Sequence, residues 1–343
     1  MKKINMYLTL VLVVAAIALW RQQAQTAEDT GTLTAVKIAA APVLDGKVDA
    51  AWKKAKEIKI PVTGGANFPN GNTEVTLKAV YTDTDIFFLA QWRDKTQSYQ
   101  RFPWKKQADG SWSQLKDPTD KGGDSNKYYE DKFAMLWNIN MAGFESAGCM
   151  VACHAGEPGK PYGNKYAANP GELGDLWHWK SVRTGPVGQI DDQYLDSTRY
   201  DKDKSPEAGR KSDPKTAGGY NDNINETKNG PTWAAKGNKP APPYWILDSE
   251  KEALDASKYK TGDEVAGIVI AALAGDRGDI SAKSSWSNGV WTLEFSRKLK
   301  TGSQYDVQFD DLSKSYAFGV AVFDNAQVRH AFATRPNQLR FAK

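Results

Sequence analysis

A period of two dominates the hydrophobic pattern of this chain. Val75, Leu77, Ala79 and Tyr81 alternate with polar or small residues, Thr82 to Asp85 carry turn chemistry, and Ile86 to Trp92 return, so this stretch predicts a β-hairpin. Asp131 to Asn140 predicts a further strand with Phe133, Met135 and Trp137 on one face. Val290 to Ser296 sets Trp291, Leu293 and Phe295 against Thr292 and Glu294, while Gly267 to Leu273 and Ser315 to Phe323 are apolar runs of strand length. Nearer the start, Ala35 to Ala39 is strand-like, Asp45-Gly46 is a turn signal, and Asp49 is placed to cap a short helical turn that carries Trp52 inward. Short strands, frequent turns, few helical periods and no internal repeat predict an all-β fold, an antiparallel β-sandwich.

Three stretches depart from that pattern. Gln97 to Asn126, rich in Lys, Asp, Gly and Ser, predicts a loop anchored by Trp104 and Trp112. Residues 155–245 are dominated by Gly, Pro, Asn, Asp and Lys, and only Leu173 to Val182 has a pattern of its own. So long an irregular insertion in a compact protein is usually functional or wrapped around something. At the amino terminus, Lys2 and Lys3 precede an apolar run from Ile4 to Trp20 broken only by Asn5, Tyr7 and Thr9. This is an export signal, and with no A-x-A site after it the pattern favours an uncleaved anchor. The expected organisation is a transmembrane helix over 1–21, a polar linker over 22–34 and one sandwich domain over 35–343 containing the insertion. Lysines on the inner side place the domain in the periplasm or on the outer face of the cytoplasmic membrane, as a single-pass protein.

Composition narrows the function classes. A quarter of the 343 residues are charged and two fifths apolar, as expected of a globular body with a core. The 45 basic and 41 acidic residues are evenly spread, which argues against nucleic acid as a partner. The 12 tryptophans suit a sugar-binding face, a tetrapyrrole pocket or, by default, a sandwich core. Neither G-x-S-x-G nor H-E-x-x-H occurs, and no spacing pairs a nucleophile with a base, so no catalytic residue is assigned.

The chemistry is concentrated in Cys149-Met150-Val151-Ala152-Cys153-His154, which holds both cysteines and one of the three histidines. Covalent haem needs two thiols for thioethers and a histidine directly after the second to reach the iron; the usual spacing is C-x-x-C-H. Here one extra residue separates the thiols without moving Cys153 relative to His154. Zinc would need about four N or S ligands, and there is no third cysteine. A redox dithiol is expected as C-x-x-C in a βαβ setting, which this neighbourhood lacks. A local disulfide or two buried free cysteines complete the alternatives.

Several segments in order along the chain carry a resemblance. The opening from Asp45-Gly46 to Trp52, the Val75 to Trp92 hairpin, Tyr129-Glu130-Asp131-Lys132, Leu176-Trp177-His178-Trp179-Lys180 and Val320-Ala321-Val322-Phe323-Asp324 resemble the haem-binding domain of the ethylbenzene dehydrogenase family. The resemblance spans most of residues 35–335 and implies a sandwich like a family 9 carbohydrate-binding module. That family includes the haem subunits of dimethyl sulfide dehydrogenase and selenate reductase, which hold a non-covalent haem b between a methionine and a lysine. This chain has thioether cysteines and His154 near the methionine's place, so it looks like a c-type branch carrying one covalent haem c.

The resemblance also places the second iron ligand at His330, just past the Val320 to Phe323 strand where the family supplies its lysine. His178 is the other histidine, either a ligand or a group that orients a propionate; Met135 and Met141 are the remaining ligand options. Trp177 beside it is expected to line the haem, and Lys180 and Arg183 are candidate propionate partners, since guanidinium pairs with carboxylate in a bidentate way. Two imidazole ligands leave no open position on the iron and give a lower potential than His/Met. The reading is therefore a membrane-anchored monohaem c-type cytochrome that transfers single electrons to redox protein partners, as a subunit of a respiratory or photosynthetic membrane complex, and is not itself an enzyme. The alternatives are a haem subunit of a molybdenum oxidoreductase and a carbohydrate-binding module with an accessory redox site.

Overall fold

The computed structural model describes residues 31–120, 127–155 and 164–342. The expected anchor over 1–21 and nearly all of the expected linker lie outside the described residues, among which no helix is long and apolar enough to cross a membrane. Backbone pairing builds one sheet of thirteen strands, the central ones buried on both faces. They are β1 (Thr32–Lys37), β2 (Ile58–Val62), β3 (Thr73–Tyr81), β4 (Asp85–Arg93), β5 (Lys132–Asn138), β6 (Gly174–Lys180), β7 (Asp191–Leu195), β8 (Arg210–Ser212), β9 (Ser281–Ser287), β10 (Val290–Lys298), β11 (Tyr316–Phe323), β12 (Ala331–Phe332) and β13 (Asn337–Phe341).

The sheet folds over into two leaves. One runs β8-β7-β6-β5-β11-β13 and the other β1-β3-β4-β10-β9, with β2 added to β3 and β12 to β11. Strand β1 is the corner: its first half pairs with β13 and its last residues with β3, both in parallel. Those two ladders depart from a purely antiparallel sandwich, and β1 starts at Thr32, ahead of the expected domain boundary at 35. The inner faces meet in an aromatic core. Trp92 of β4 stacks on Phe133 of β5 at 5.6 Å, and Trp179 of β6 meets Trp291 of β10 edge-on at 5.1 Å. Trp92, Trp137, Trp177, Trp179 and Trp291 are all buried in this core, which accounts for much of the chain's tryptophan.

The opening segment covers the outer face of the second leaf. Asp49 accepts from the Ala51 N–H at 2.7 Å, and the short turn that follows buries Trp52, whose Nε1 donates to Glu294 at 2.7 Å. The Gly46 N–H donates to the same carboxylate. A side chain at Gly46 would meet the Ser284 backbone at 2.9 Å, and φ is +79° there, so the turn needs glycine.

Two expected irregular stretches contain strands. Within 155–245, β6, β7 and β8 extend the first leaf beyond β5, so the insertion builds sheet as well as loop. Within Gln97 to Asn126, Trp104–Lys106 and Trp112–Gln114 form a small sheet with Glu264–Val265. Sequences such as Asp191-Asp192-Gln193 have loop composition. They hold as strand because their polar groups find distant partners: Asp191 is paired with Lys180 and Arg277.

Candidate functional site

Register decides which side chains face outward from the first leaf. Across β5, β6 and β11, Ala134 is opposite His178 and Ala321, and Leu136 is opposite Leu176 and Gly319. With a period of two, these residues share one face and Phe133, Met135, Trp137, Trp177 and Trp179 share the other. The outward floor is thus lined by small or apolar residues, and residues 141–155 lie over it: Met141, Phe144, Ala152, Cys149, Val151 and Cys153 pack against Ala134, Leu136, Leu176, Ala317 and Phe323.

The motif is locked to this floor through two glycines. A Cβ on Gly319 would lie 2.4 Å from Cys149 Sγ, so the missing side chain makes the cradle for that sulfur. Gly148, at φ +57°, brings the turn so close to Pro336 that a Cβ would meet its nitrogen at 3.1 Å. The extra residue between the cysteines is taken up locally: the amides of Ala152 and His154 both donate to the Cys149 carbonyl, at 3.2 and 3.0 Å. The second of these spans five residues, a wide turn that keeps Cys153 and His154 together.

His154 and His330, 176 positions apart, meet at this turn with Nε2 atoms 3.3 Å from one another. The His154 ring stacks on Phe332 at 3.8 Å, and the His330 ring leans on Phe323 at 4.6 Å. The His330 Nδ1–H donates to the Val328 carbonyl at 2.8 Å, which leaves Nε2 with its lone pair directed toward His154. Burial pushes His154 down to about 4, and burial together with the neighbouring imidazole pushes His330 down to about 3, so both rings are neutral near pH 7. Burial also raises both thiols, Cys153 to about 11 and Cys149 further. The two thiols are not bonded to each other. Among the described residues, no group of three or more metal-ligating side chains forms around His154 and His330.

The remaining predicted residues lie around the floor in different roles. His178 is buried on the floor; its Nδ1 lies 3.3 Å from Gln193 Oε1 and its ring stacks on Phe323 at 5.6 Å. Phe323 contacts both His178 and His330, so it stands between them. Trp177 points the other way, into the inter-sheet core against Phe88, Trp137 and the Arg297 guanidinium, and so is not among the side chains that face the cysteines. Lys180 is fully buried in an ion pair with Asp191, and Arg183 is paired with Glu130.

Sequence reasoning missed Lys132, Gln193 and Arg210. Lys132 is opposite Phe323 on the floor, its ammonium 4.0 Å over that ring and donating to the Gln327 carbonyl at 3.0 Å. Arg210 reaches Gln193 at 3.4 Å and pairs with Glu207. Burial, then the charges of Lys180, Lys132 and Arg210, holds His178 well below its ordinary value. The floor is thus apolar beneath the cysteines, with Lys132 of β5 and Arg210 of β8 as cationic groups near its margin. Lys132 was legible in principle: it is two residues before Ala134 in an alternating strand.

The profile of the ethylbenzene dehydrogenase family matches residues 49–335. The chain belongs to the ethylbenzene dehydrogenase family. The matched span contains both cysteines, all three histidines and every floor residue named above. No curated protein matches the sequence. Among solved structures, a family 9 carbohydrate-binding module from Caldicellulosiruptor kristjanssonii in complex with glucose is similar over 91% of this chain and 94% of its own, at 10% identity and a TM-score of 0.34. The same module with cellotriose gives 90% and 93%, 9% identity and 0.33. Those values are too low to transfer a ligand.

Proposed function

We propose that this member of the family is a monohaem c-type cytochrome, a one-electron carrier with haem attached through Cys149 and Cys153. The observation that supports it is the convergence of two neutral imidazoles, His154 and His330, beside two neutral thiols on an apolar floor with a glycine cradle. Bound haem supplies reversible one-electron chemistry. The protein's part is to hold and insulate: Phe332 and Phe323 fix the imidazole planes, the Val328 carbonyl sets the His330 tautomer, and residues 141–155 cover the floor. With both imidazoles as ligands no position remains for a substrate, so the work is electron transfer, at a lower potential than a His/Met pair would give. Lys132, Arg210 and His178 are the floor groups available to acidic substituents; Lys180 and Arg183 act at one remove through Asp191 and Glu130.

Membership of a family named for a dehydrogenase supports a place in an oxidoreductase complex. A haem subunit of a molybdenum oxidoreductase is the second reading, and residues 1–21 tether the chain to the cytoplasmic membrane in the first. The carbohydrate-binding reading has less support, because seven of the eleven described tryptophans are buried and the other four, Trp112, Trp233, Trp245 and Trp286, are half-buried. Carbon monoxide distinguishes a carrier from a catalyst: the reduced protein is expected to keep its spectrum under the gas, and a bound-carbonyl spectrum would show an open iron position and overturn the reading. Purification from native membranes separates the two partnerships, since a co-eluting molybdopterin subunit favours the second.

A further inference from the structure

The inner faces of β6 and β7 hold a feature the electron-transfer reading leaves unused. Asp175 and Asp192 point into the end of the sandwich and meet Asp306 from the loop before β11; each offers one oxygen, all within 4.8 Å of one another. Asp213 and Asp306 are each 3% exposed, and neither carboxylate has a hydrogen-bond donor on either oxygen. Asp213 lies outside the three-residue cluster and is near enough to Asp175 and Asp306 to feel both carboxyls. Asp279 approaches Asp192 in the same way. Buried carboxylate oxygens without donors cost several kcal/mol each in principle, and native proteins rarely leave them so.

Charge makes the case sharper. Among the described residues the only cation in ion-pair range of these five carboxylates is Arg297, 2.8 Å from Asp175, 3.6 Å from Asp306 and 4.0 Å from Asp192. Arg297 is itself committed, donating also to the Val307 carbonyl, while the Val307 N–H donates to Asp175 at 2.9 Å. One guanidinium cannot balance five ionised carboxylates, so the cluster needs protons or a further cation.

We infer that Asp175, Asp192, Asp213 and Asp306 bind one hard divalent cation, of calcium type, at the end of the inter-sheet core. An all-oxygen, carboxylate-rich set selects hard cations. Calcium–oxygen distances of about 2.3–2.6 Å separate opposed ligands by about 4.6–5.2 Å, whereas magnesium allows only about 4.0–4.2 Å. The three cluster oxygens lie within 4.8 Å of one another, close enough for one ion to bridge, and the comparison of calcium with magnesium decides between the two. The ion would tie β6 and β7 to the loop before β11 and, through Arg297, to β10 of the opposite leaf. Since β6 carries Leu176 and His178 on its other face, the site would stiffen the floor from behind.

The test uses the full chain with its own cofactor, stripped with EGTA and dialysed against calcium or magnesium chloride. Elemental analysis is expected to find one calcium retained per chain, and about 1 mM calcium to raise the melting temperature by roughly 5 °C or more over the stripped protein. Magnesium should do less. Asp306→Asn is expected to lose the ion and the shift together; if that variant does not fold, Asp213→Asn at the margin of the cluster serves instead. No retained calcium and no shift in the wild type would overturn the inference. So would retention by a folded Asp306→Asn or Asp213→Asn protein, which would place the ion elsewhere, for instance at Asp94, Asp131 and Asp324.

Discussion

Substituting Gly319 by alanine probes the cradle directly. The new Cβ would lie 2.4 Å from Cys149 Sγ, 1.0 Å inside the 3.4 Å at which ordinary contact begins. Neither side yields easily: Gly319 is mid-strand in β11, paired with Leu136, and the turn bearing Cys149 is held against Pro336 through Gly148. Overpacking of this kind costs about 1–3 kcal/mol, and the backbone entropy gained by Gly→Ala returns about 0.4–1 kcal/mol. The net loss is about 1–2 kcal/mol, or roughly 2–6 °C in melting temperature for a domain of this size. The displaced sulfur should also attach poorly, so the haemochrome band should shift toward that of a single thioether. Calorimetry and pyridine haemochrome spectra read the two effects, and in a Cys149→Ala background the stability cost should vanish, since the clash has lost its partner. A Gly319→Ala protein as stable as wild type, with both thioethers formed, would refute the packing of Cys149 over β11.

Other perturbations separate the roles assigned around the floor. His330→Met should keep the covalent haem, shift the visible spectrum and raise the midpoint potential, because a thioether ligand raises it; His178→Met, behind Phe323, should leave ligation intact, and the reverse result reassigns the ligand. Trp177→Ala should cost about 3–5 kcal/mol in denaturant melts while leaving the Soret band in place, as befits a core ring rather than a haem contact. Burial pushes the Glu130 carboxyl up, but Arg183, Lys132 and Arg101 outweigh it and hold it below 4.5 in the fold. Its stabilisation is therefore present above pH 4.5 and lost as pH falls through the lower folded value. Glu130→Gln should be destabilised by about 3–5 kcal/mol at neutral pH and show a flatter acid limb; parallel acid limbs in thermal melts would contradict this.

What could be read from the chain follows from where each signal resides. The β3–β4 hairpin was legible because its apolar positions alternate and Val75 to Tyr81 find their partners just across a short turn. Strand β6 showed only as the patterned stretch Leu173 to Val182, and β7 and β8 not at all, because the inner faces of β6 and β7 carry Asp175 and Asp192 and the groups that stabilise them are remote: Arg297 is 122 residues from Asp175, and Arg277 is 86 from Asp191. Likewise Cys149 to His154 is contiguous chemistry and announces itself, whereas the pairing of His330 with it rested on a family resemblance. Gly319 could not be found at all, since a glycine in a strand becomes a cradle only once the register places Cys149 over it. Trp177 lies on the opposite face of β6 from His178 for a related reason: the two are neighbours in sequence.

The central claim is that Cys149 and Cys153 carry haem covalently. Intact-mass spectrometry of the protein made with a haem-attachment system, after acid–acetone extraction, tests it most directly. The account predicts a chain heavier by one haem that survives extraction, with the adduct lost when both cysteines are replaced by alanine. A chain of bare polypeptide mass, or a haem removed wholly by the solvent, would contradict it.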